Sequence, residues 1–382
     1  MSREISRRDF LKLAGVGAAT TAVLTGCGPQ SRYVQREPYV KMPEYNYNGL
    51  STYYATTCRE CAAGCGIVVR TFQGRALKVE GNPDNPINAG KTCARGQVGL
   101  QGLYNPDRVT DPVHRKRRGA AEADKLTWEA AVKVVAEALT TNAPDQIAFL
   151  LGTQPDHLFD LVSDLMAALG GAAPVRFGAL AMFESRATLT QAAQALFGQA
   201  ALPMFDIGNA DVVFSFGANF LETWLSPVAQ TRAFAHMRQG RPGRRGMMVQ
   251  FEPRMSQTAA KADEWVPIKP GTEALVALAL GRLAAMLAGA QQPLVIPGAA
   301  ALGQSNGLQA AQAVLALNAL LGNPGKDGGV FLSPTAPLSD AYHRPANIRE
   351  MADLIARLNS GAIKVLFIHG ANPLFELPRS LG

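Results

Sequence analysis

Apolar residues along this chain keep three different rhythms. Over residues 28–50 they follow none; Pro29, Pro38, Pro43 and several tyrosines read as an extended tether. Between 51 and 110 the rhythm is short and strand-like. Thr52-Tyr53-Tyr54-Ala55-Thr56 predicts one strand, while 67–72 and 76–80 flank Gln73-Gly74, a hairpin turn. The loop from Gly81 to Asn88 (Gly-Asn-Pro-Asp-Asn-Pro-Ile-Asn) is rich in turn formers. From Thr127 the period lengthens. A helix over 128–139 places Ala130, Val134, Val135 and Leu139 on one face, and further helices follow at 157–169, 228–237, 272–288 and 308–321. Continuous apolar strands alternate with them at 147–151, 211–216, 247–251, 294–296 and 363–369. His369, at the end of the last strand, reads as a satisfied core histidine.

Apolar strands separated by amphipathic helices imply an α/β fold with a parallel sheet covered on both faces. Ligands of such sheets sit beyond the carboxyl ends of the strands. Those ends repeat here. Gly217-Ala218-Asn219 and Gly370-Ala371-Asn372 each close an apolar strand, like two related α/β units facing a shared crevice. A third strand end reads Phe251-Glu252-Pro253-Arg254, with Glu252 where nucleotide-binding sheets often place an acid for ribose hydroxyls. Soon after, Pro270-Gly271-Thr272-Glu273 opens a helix that Thr272 would cap.

Cysteine spacing supplies the sharpest chemistry. Cys58, Cys61 and Cys65 fall within eight residues, and Cys93 returns after 27 more. A cubane iron–sulfur cluster takes one thiolate per iron; a tight loop wraps three corners and a distant residue closes the fourth. A zinc site would pair two CxxC knuckles, and the second is missing here. Two disulfides are the other alternative, although Cys58 and Cys61 lie close for a relaxed framework.

The N-terminus changes the picture of where this chemistry happens. Arg7-Arg8 precedes a weakly apolar run over 13–26, which resembles a twin-arginine export signal and is too short for a comfortable membrane span. It ends in Leu24-Thr25-Gly26-Cys27, like a lipobox whose cysteine becomes acylated. Cys27 for lipid and four cysteines for a cluster account for all five thiols. The net charge of +7 falls to +5 without residues 1–26, and no basic face is interleaved with aromatics, so nucleic acid is not an expected partner. The basic run His114-Arg115-Lys116-Arg117-Arg118 reads as a solvated loop, with an acidic partner or lipid headgroups as the alternative. The five histidines lie far apart, and no acid–base pair or nucleophilic triad emerges. The expected organisation is a signal (1–26), a tether (27–50), a cluster domain (51–110) and α/β domains (111–382).

Together these features resemble the large subunits of the molybdenum/tungsten bis-molybdopterin oxidoreductases. The resemblance is carried, in order, by the four cysteines, Gly81-Asn-Pro-Asp-Asn-Pro86, Cys93-Ala-Arg-Gly96, Leu126-Thr-Trp-Glu-Ala130, Gly217-Ala-Asn219, Glu252-Pro-Arg254, Pro270-Gly-Thr-Glu273 and Gly370-Ala-Asn-Pro373. It implies a small β-rich [4Fe-4S] domain followed by Rossmann-like parallel-sheet domains. It also implies pterin or nucleotide contacts at Asn219, Glu252, Arg254, Glu273 and Asn372, with Arg95 on the electron path from cluster to pterin. The implied cofactor is Mo-bis-molybdopterin guanine dinucleotide, with Ser185 at about the position of the metal ligand; a serine that caps a helix is the alternative reading. Departures are plain. The family usually has Asp at the positions of Glu252 and Glu273 and Pro at that of Phe220, and catalytic members continue beyond the motif at Gly370.

A lipobox behind a twin-arginine signal, the phrase from Phe216 to Trp224 and the altered pterin positions resemble, more narrowly, the iron–sulfur subunit of alternative complex III, a quinol:electron-acceptor oxidoreductase. That resemblance implies ferredoxin-like iron–sulfur, haem c and quinone-binding membrane subunits as partners, and a lipid anchor on the outer face of the cytoplasmic membrane. Three functions remain in view: an electron-transfer and scaffold subunit, a catalytic molybdoenzyme acting on a small oxyanion or sulfur compound, and a non-redox structural lipoprotein.

Overall fold

The computed structural model describes residues 50–117, 119, 122–152, 156–178, 185–279, 286–332 and 345–381. The export signal, Cys27, the tether through residue 49, Arg118 of the basic run and His343, one of the five histidines, lie outside them. The chain divides into two units, one of residues 1–52 and 71–76, the other of 53–70 and 77–382. No helix among the described residues is long and apolar enough to cross a membrane.

The first sheet is built from strands β1 (Thr52–Thr57), β2 (Gly66–Phe72) and β3 (Arg75–Gly81), in that order. Gln73 and Gly74 turn between the last two with φ of 49° and 77°. Two consecutive positive φ values give the hairpin turn whose twist matches its strands. The helix Ala94–Leu103 follows, and a short ribbon pairs β4 (Val113–His114) with β5 (Asp124–Lys125).

The strands after Thr127 are β6 (Ile147–Leu151), β7 (Val175–Arg176), β8 (Pro203–Phe205), β9 (Val212–Phe216), β10 (Met247–Phe251), β11 (Glu264–Val266), β12 (Pro293–Pro297), β13 (Val330–Leu332) and β14 (Val365–His369). Apart from the antiparallel pair β8–β13, they form two parallel sheets, β11-β10-β9-β12 and β14-β6-β7. The apolar strands thus fall in two sheets, one for each Gly-Ala-Asn phrase.

The four-stranded sheet is covered on both faces. Val213, Met248, Leu294 and Ile296 pack into one core; Phe214, Phe216, Val249, Phe251 and Val295 pack into another. Alternation along an extended strand sends neighbours to opposite faces, which is why these strands read as unbroken apolar runs. The Phe216 and Phe251 rings stack at 4.7 Å. Fully burying one such side chain contributes about 1.5–3 kcal/mol. β12 is an edge strand, and buried Asn318 closes it by accepting from Val295 N–H (3.0 Å) and donating to Val295 C=O (2.8 Å).

The three-stranded sheet has a smaller core of Leu150, Phe177, Met351, Leu354 and Ile363. Two sequence expectations fail, for His369 and Thr272, and one expected helix forms without being buried. The helix Trp128–Thr141 forms, but none of its residues is buried, and Val134 and Val135 are exposed. Periodicity sets which side chains share a face; burial needs something packed against that face. His369 is exposed at the end of β14 rather than held in a core. Thr272 precedes the helix Glu273–Leu278 without capping it, because its hydroxyl donates to the Lys269 carbonyl (2.7 Å).

Candidate iron–sulfur pocket and strand-end crevice

Strands β1 and β2 deliver the first three thiols. The loop between them is closed by the Cys58 N–H donating to the Cys65 carbonyl at 2.8 Å. Gly64 turns it with φ +61°, a conformation that costs a side-chain-bearing residue about 1 kcal/mol or more. Cys93 stands at the N-cap of the helix Ala94–Leu103. Between β3 and that helix, the turn-rich loop is pinned by Asn88, which is fully buried. Its Oδ1 accepts from Gly66 N–H (2.9 Å), and its Nδ2 donates to the carbonyls of Gly66 (2.8 Å) and Lys91 (2.7 Å). That one amide ties the base of the three-cysteine loop to the segment carrying the fourth cysteine. Sequence reasoning missed it, since nothing local separates Asn88 from the other turn formers of its loop.

All four cysteines are free thiols and line one pocket with Glu60, Gly64, Ile67, Thr92 and Gly96. Disulfide pairing, one of the sequence alternatives, is therefore not what the fold adopts. Among the described residues, no group of three or more His, Cys, Asp or Glu side chains converges as a single metal ion requires. One zinc would draw its sulfurs together at about 2.3 Å from a common centre. A cubane instead meets each sulfur at a separate iron. Burial pushes the Cys65 thiol up to about 11, and Cys61, Cys58 and Cys93 add like-charge repulsion. Cys58 is raised by burial too, against a downward pull from the Glu60 backbone N–H. A cationic centre such as iron would offset that burial and repulsion and favour the thiolates of Cys58 and Cys65.

The second site lies past the carboxyl ends of β9, β10 and β12. Gly217, Asn219, Glu252, Pro253, Arg254, Ala299 and Ala300 line a crevice of about 260 Å³. Gly298 is required there, because a Cβ on it would meet the Ala218 backbone at 2.1 Å. Asn219 donates to the Thr223 hydroxyl (2.9 Å), and Arg254 is exposed. Glu252 is 3% exposed and makes inward bonds: Oε1 accepts from Ser256 N–H (2.7 Å) and Oε2 from the Gln250 side chain (3.0 Å).

The remaining candidates are dispersed. Asn372 is at the end of the other sheet, where its Oδ1 accepts from Phe375 N–H and caps the short helix Pro373–Glu376. Glu273 is 1% exposed, and its carboxylate oxygens have no hydrogen-bond partner within bonding distance among the described residues. Burial raises its pKa, with a weaker opposing pull from the N–H groups of Glu273 itself and Gly271. Neither residue lines the crevice. Arg95 is half-buried in the first turn of the helix after Cys93, outside the lining of the cysteine pocket. Ser185 precedes the helix Arg186–Phe197 at 6% exposure with φ 56° and ψ 38°, and its side chain makes no capping hydrogen bond.

The family described as molybdopterin oxidoreductase matches residues 108–379. The chain belongs to the molybdopterin oxidoreductase family. The Fe4S4 domain of these enzymes matches residues 51–105, and a twin-arginine translocation signal matches 4–23, which supports export across the cytoplasmic membrane. Among curated relatives, the chain is 28% identical to the menaquinone reductase, molybdopterin-binding-like subunit of Nitratidesulfovibrio vulgaris, over 98% of this chain and 60% of the relative. It is 29% identical to the molybdopterin-containing subunit of the arsenate respiratory reductase of a Shewanella species, over 73% of this chain and 33% of the relative. A thiosulfate reductase molybdopterin-containing subunit of Salmonella typhimurium is 28% identical over 72% of this chain and 34% of its own length. The chain thus spans between a third and 60% of these relatives' length.

The molybdopterin oxidoreductase Fe4S4 domain carries a [4Fe-4S] cluster, and the cysteine pocket offers the donor set such a group needs. The fit to a molybdopterin guanine dinucleotide is looser. The family domain is compatible with it, and the crevice lies within the residues that the family matches. Yet the Glu252 carboxylate is already paired within the protein.

Proposed function

We propose that this chain is the iron–sulfur, molybdopterin-oxidoreductase-like subunit of a membrane-attached respiratory complex that exchanges electrons with quinone or quinol, of the alternative complex III type. Its role there is electron transfer and scaffolding. Cys58, Cys61, Cys65 and Cys93 hold the cluster, and Cys27 carries the lipid. The observation that carries the redox reading is the convergence of four free thiols on one pocket. When bound, the cluster accepts and releases one electron at a time. The chain's own part is to hold the four sulfurs, through the Cys58–Cys65 backbone bond and the Asn88 amide. Arg95, in the first turn of the helix after Cys93, is the residue assigned to the electron path in this reading. The menaquinone reductase relative and the export signal support a quinone-linked complex outside the cytoplasm. The scaffold role is supported by the inward pairing of Glu252, which leaves a pterin nucleotide fewer contacts.

Metal analysis of the purified complex tests this reading. Iron is expected at about four atoms per chain for this cluster, with molybdenum and tungsten far below stoichiometry. One molybdenum or tungsten per chain would defeat the scaffold assignment.

A second reading, a catalytic molybdoenzyme, is favoured by Ser185. A buried, non-glycine residue in the left-handed region is strained by about 1–3 kcal/mol, and such strain gathers at functional positions. Its hydroxyl is also unused as a helix cap. If Ser185 ligates a metal, Ser185→Ala lowers turnover by about a hundredfold or more, in line with the loss of an essential active-site group. Unchanged turnover with the metal retained would remove that role.

A further inference from the structure

Beside the cysteine pocket, a chain of side-chain hydrogen bonds runs from β3 to the residue before Cys93. Lys78 Nζ donates to Gln97 Oε1 at 2.6 Å, and Gln97 Nε2 donates to Thr92 Oγ1 at 2.5 Å. Lys78 is itself held by the Glu80 carboxylate (2.8 Å) and the Val79 carbonyl (2.8 Å). Thr92 is half-buried and lines the pocket. Its side chain and the Cys58 sulfur flank the same glycine. A Cβ on Gly96 would lie 3.9 Å from Thr92 Cβ and 3.7 Å from Cys58 Sγ.

The first member of this chain fixes its direction. An ammonium has three protons and no lone pair, so it only donates. Lys78 therefore takes the oxygen of the Gln97 amide and leaves the NH2 group to face Thr92. A hydroxyl offered an N–H accepts it, and its own proton is then free for another acceptor. Among the described residues, Thr92 Oγ1 donates to none. What the pocket offers such a proton is sulfur, because four cysteines line it with Thr92. We infer that Thr92 donates its hydroxyl proton to a sulfur of the bound cluster, with Gln97 and Lys78 as positioning residues that hold the hydroxyl to that role. This rests on the cluster reading above. Hydrogen bonds to the sulfurs stabilise the more negative, reduced cluster and raise its potential. Gln97 and Lys78 thus tune the centre as an electron carrier without touching it.

The test is the midpoint potential of the cluster in the full chain, followed by EPR during a redox titration, with iron counted in every sample. Thr92→Val keeps the shape of the side chain and loses the hydroxyl. It is expected to retain about four irons per chain. Its ratio of reduced to oxidised cluster should fall about threefold at a given potential, a downward shift of about 30 mV for one electron. Thr92→Ser restores the donor and is expected to recover most of that shift. Gln97→Glu places an acceptor-only carboxylate against Thr92, which draws the hydroxyl proton out of the pocket, and should lower the potential as well. The new negative charge also lowers the potential by itself, and the double variant Thr92→Val/Gln97→Glu separates the two causes. Acting through Thr92, Gln97→Glu adds less in the Thr92→Val background than in wild type. An equal effect in both backgrounds overturns the positioning role. A merely structural tie between β3 and the helix predicts the same potential in wild type, Thr92→Val and Thr92→Ser; that result, with iron retained, overturns the inference and leaves the cluster reading standing. Wild type without iron overturns both. Should Thr92→Val take up no iron, Thr92→Ala takes its place with the same two outcomes.

Discussion

Cys61→Ser is expected to empty the cysteine pocket of its cluster. Iron should fall from about four atoms per chain to about one or fewer, with matching loss of acid-labile sulfide and of the reduced-cluster EPR signal. The physical reason is the donor set. Three of the four thiols come from one loop of eight residues, and Cys61 shares the pocket with Cys58, Cys65 and Cys93. A serine hydroxyl stays protonated at neutral pH and does not replace a thiolate at iron. The fold of the α/β part should survive, because its cores are formed by β9, β10 and β12 and the helices on them. Far-ultraviolet circular dichroism near that of wild type is the accompanying control. A Cys61→Ser chain that kept its full iron and its EPR signal would sink the ligand assignment and the redox function built on it. Iron-free wild-type protein, prepared without oxygen, would do the same and leave the structural-lipoprotein reading standing.

Asn88→Ala should be the most damaging substitution outside the cysteines. It removes three hydrogen bonds at a site with no solvent exposure. The Gly66 N–H and two carbonyls then stay buried without partners, at about 1–3 kcal/mol for each unsatisfied group before relaxation. A net loss of about 3 kcal/mol is expected, read as an earlier urea transition of the cluster domain. The loss should also appear chemically, because Asn88 ties the segment leading to Cys93 to the start of β2. Cluster release to a chelator should be faster in Asn88→Ala than in wild type. Asn88→Asp gives a graded comparison, since it keeps the acceptor for Gly66 N–H and loses both donations. It should fall between the two. If Asn88→Ala unfolds and releases iron as wild type does, the loop is held by something other than this amide.

Much of the chemistry was legible along the chain because it depends on local order. Four thiols at fixed spacing, a Gln-Gly turn and apolar runs of five residues are properties of short segments, and β2, β3, β6, β9 and β10 formed close to where those runs predicted. The turn at Gln73-Gly74 needed only its own backbone. What spacing cannot encode is what each segment packs against. The apolar face of the helix Trp128–Thr141 is a correct reading of period with no buried residue to show for it. His369 was placed in a core by the strand before it and is exposed.

The carboxylates divide along the same line. Composition marks Glu252 and Glu273 as acids at strand and helix boundaries. Only the fold decides that one is paired inward by Gln250 and Ser256 while the other is buried with both oxygens unpaired among the described residues. Asn219 and Asn372 share a phrase in the sequence, yet they end strands of different sheets, and only Asn219 lines the crevice. The sequence by itself therefore determined the cofactor chemistry, the export route and the alternation of strands and helices, because each is written in neighbouring residues. The tertiary structure decided which polar groups are free to meet a ligand. Burial and hydrogen bonding are set by residues distant in sequence, as Asn88 against Gly66 shows, and no local pattern records them.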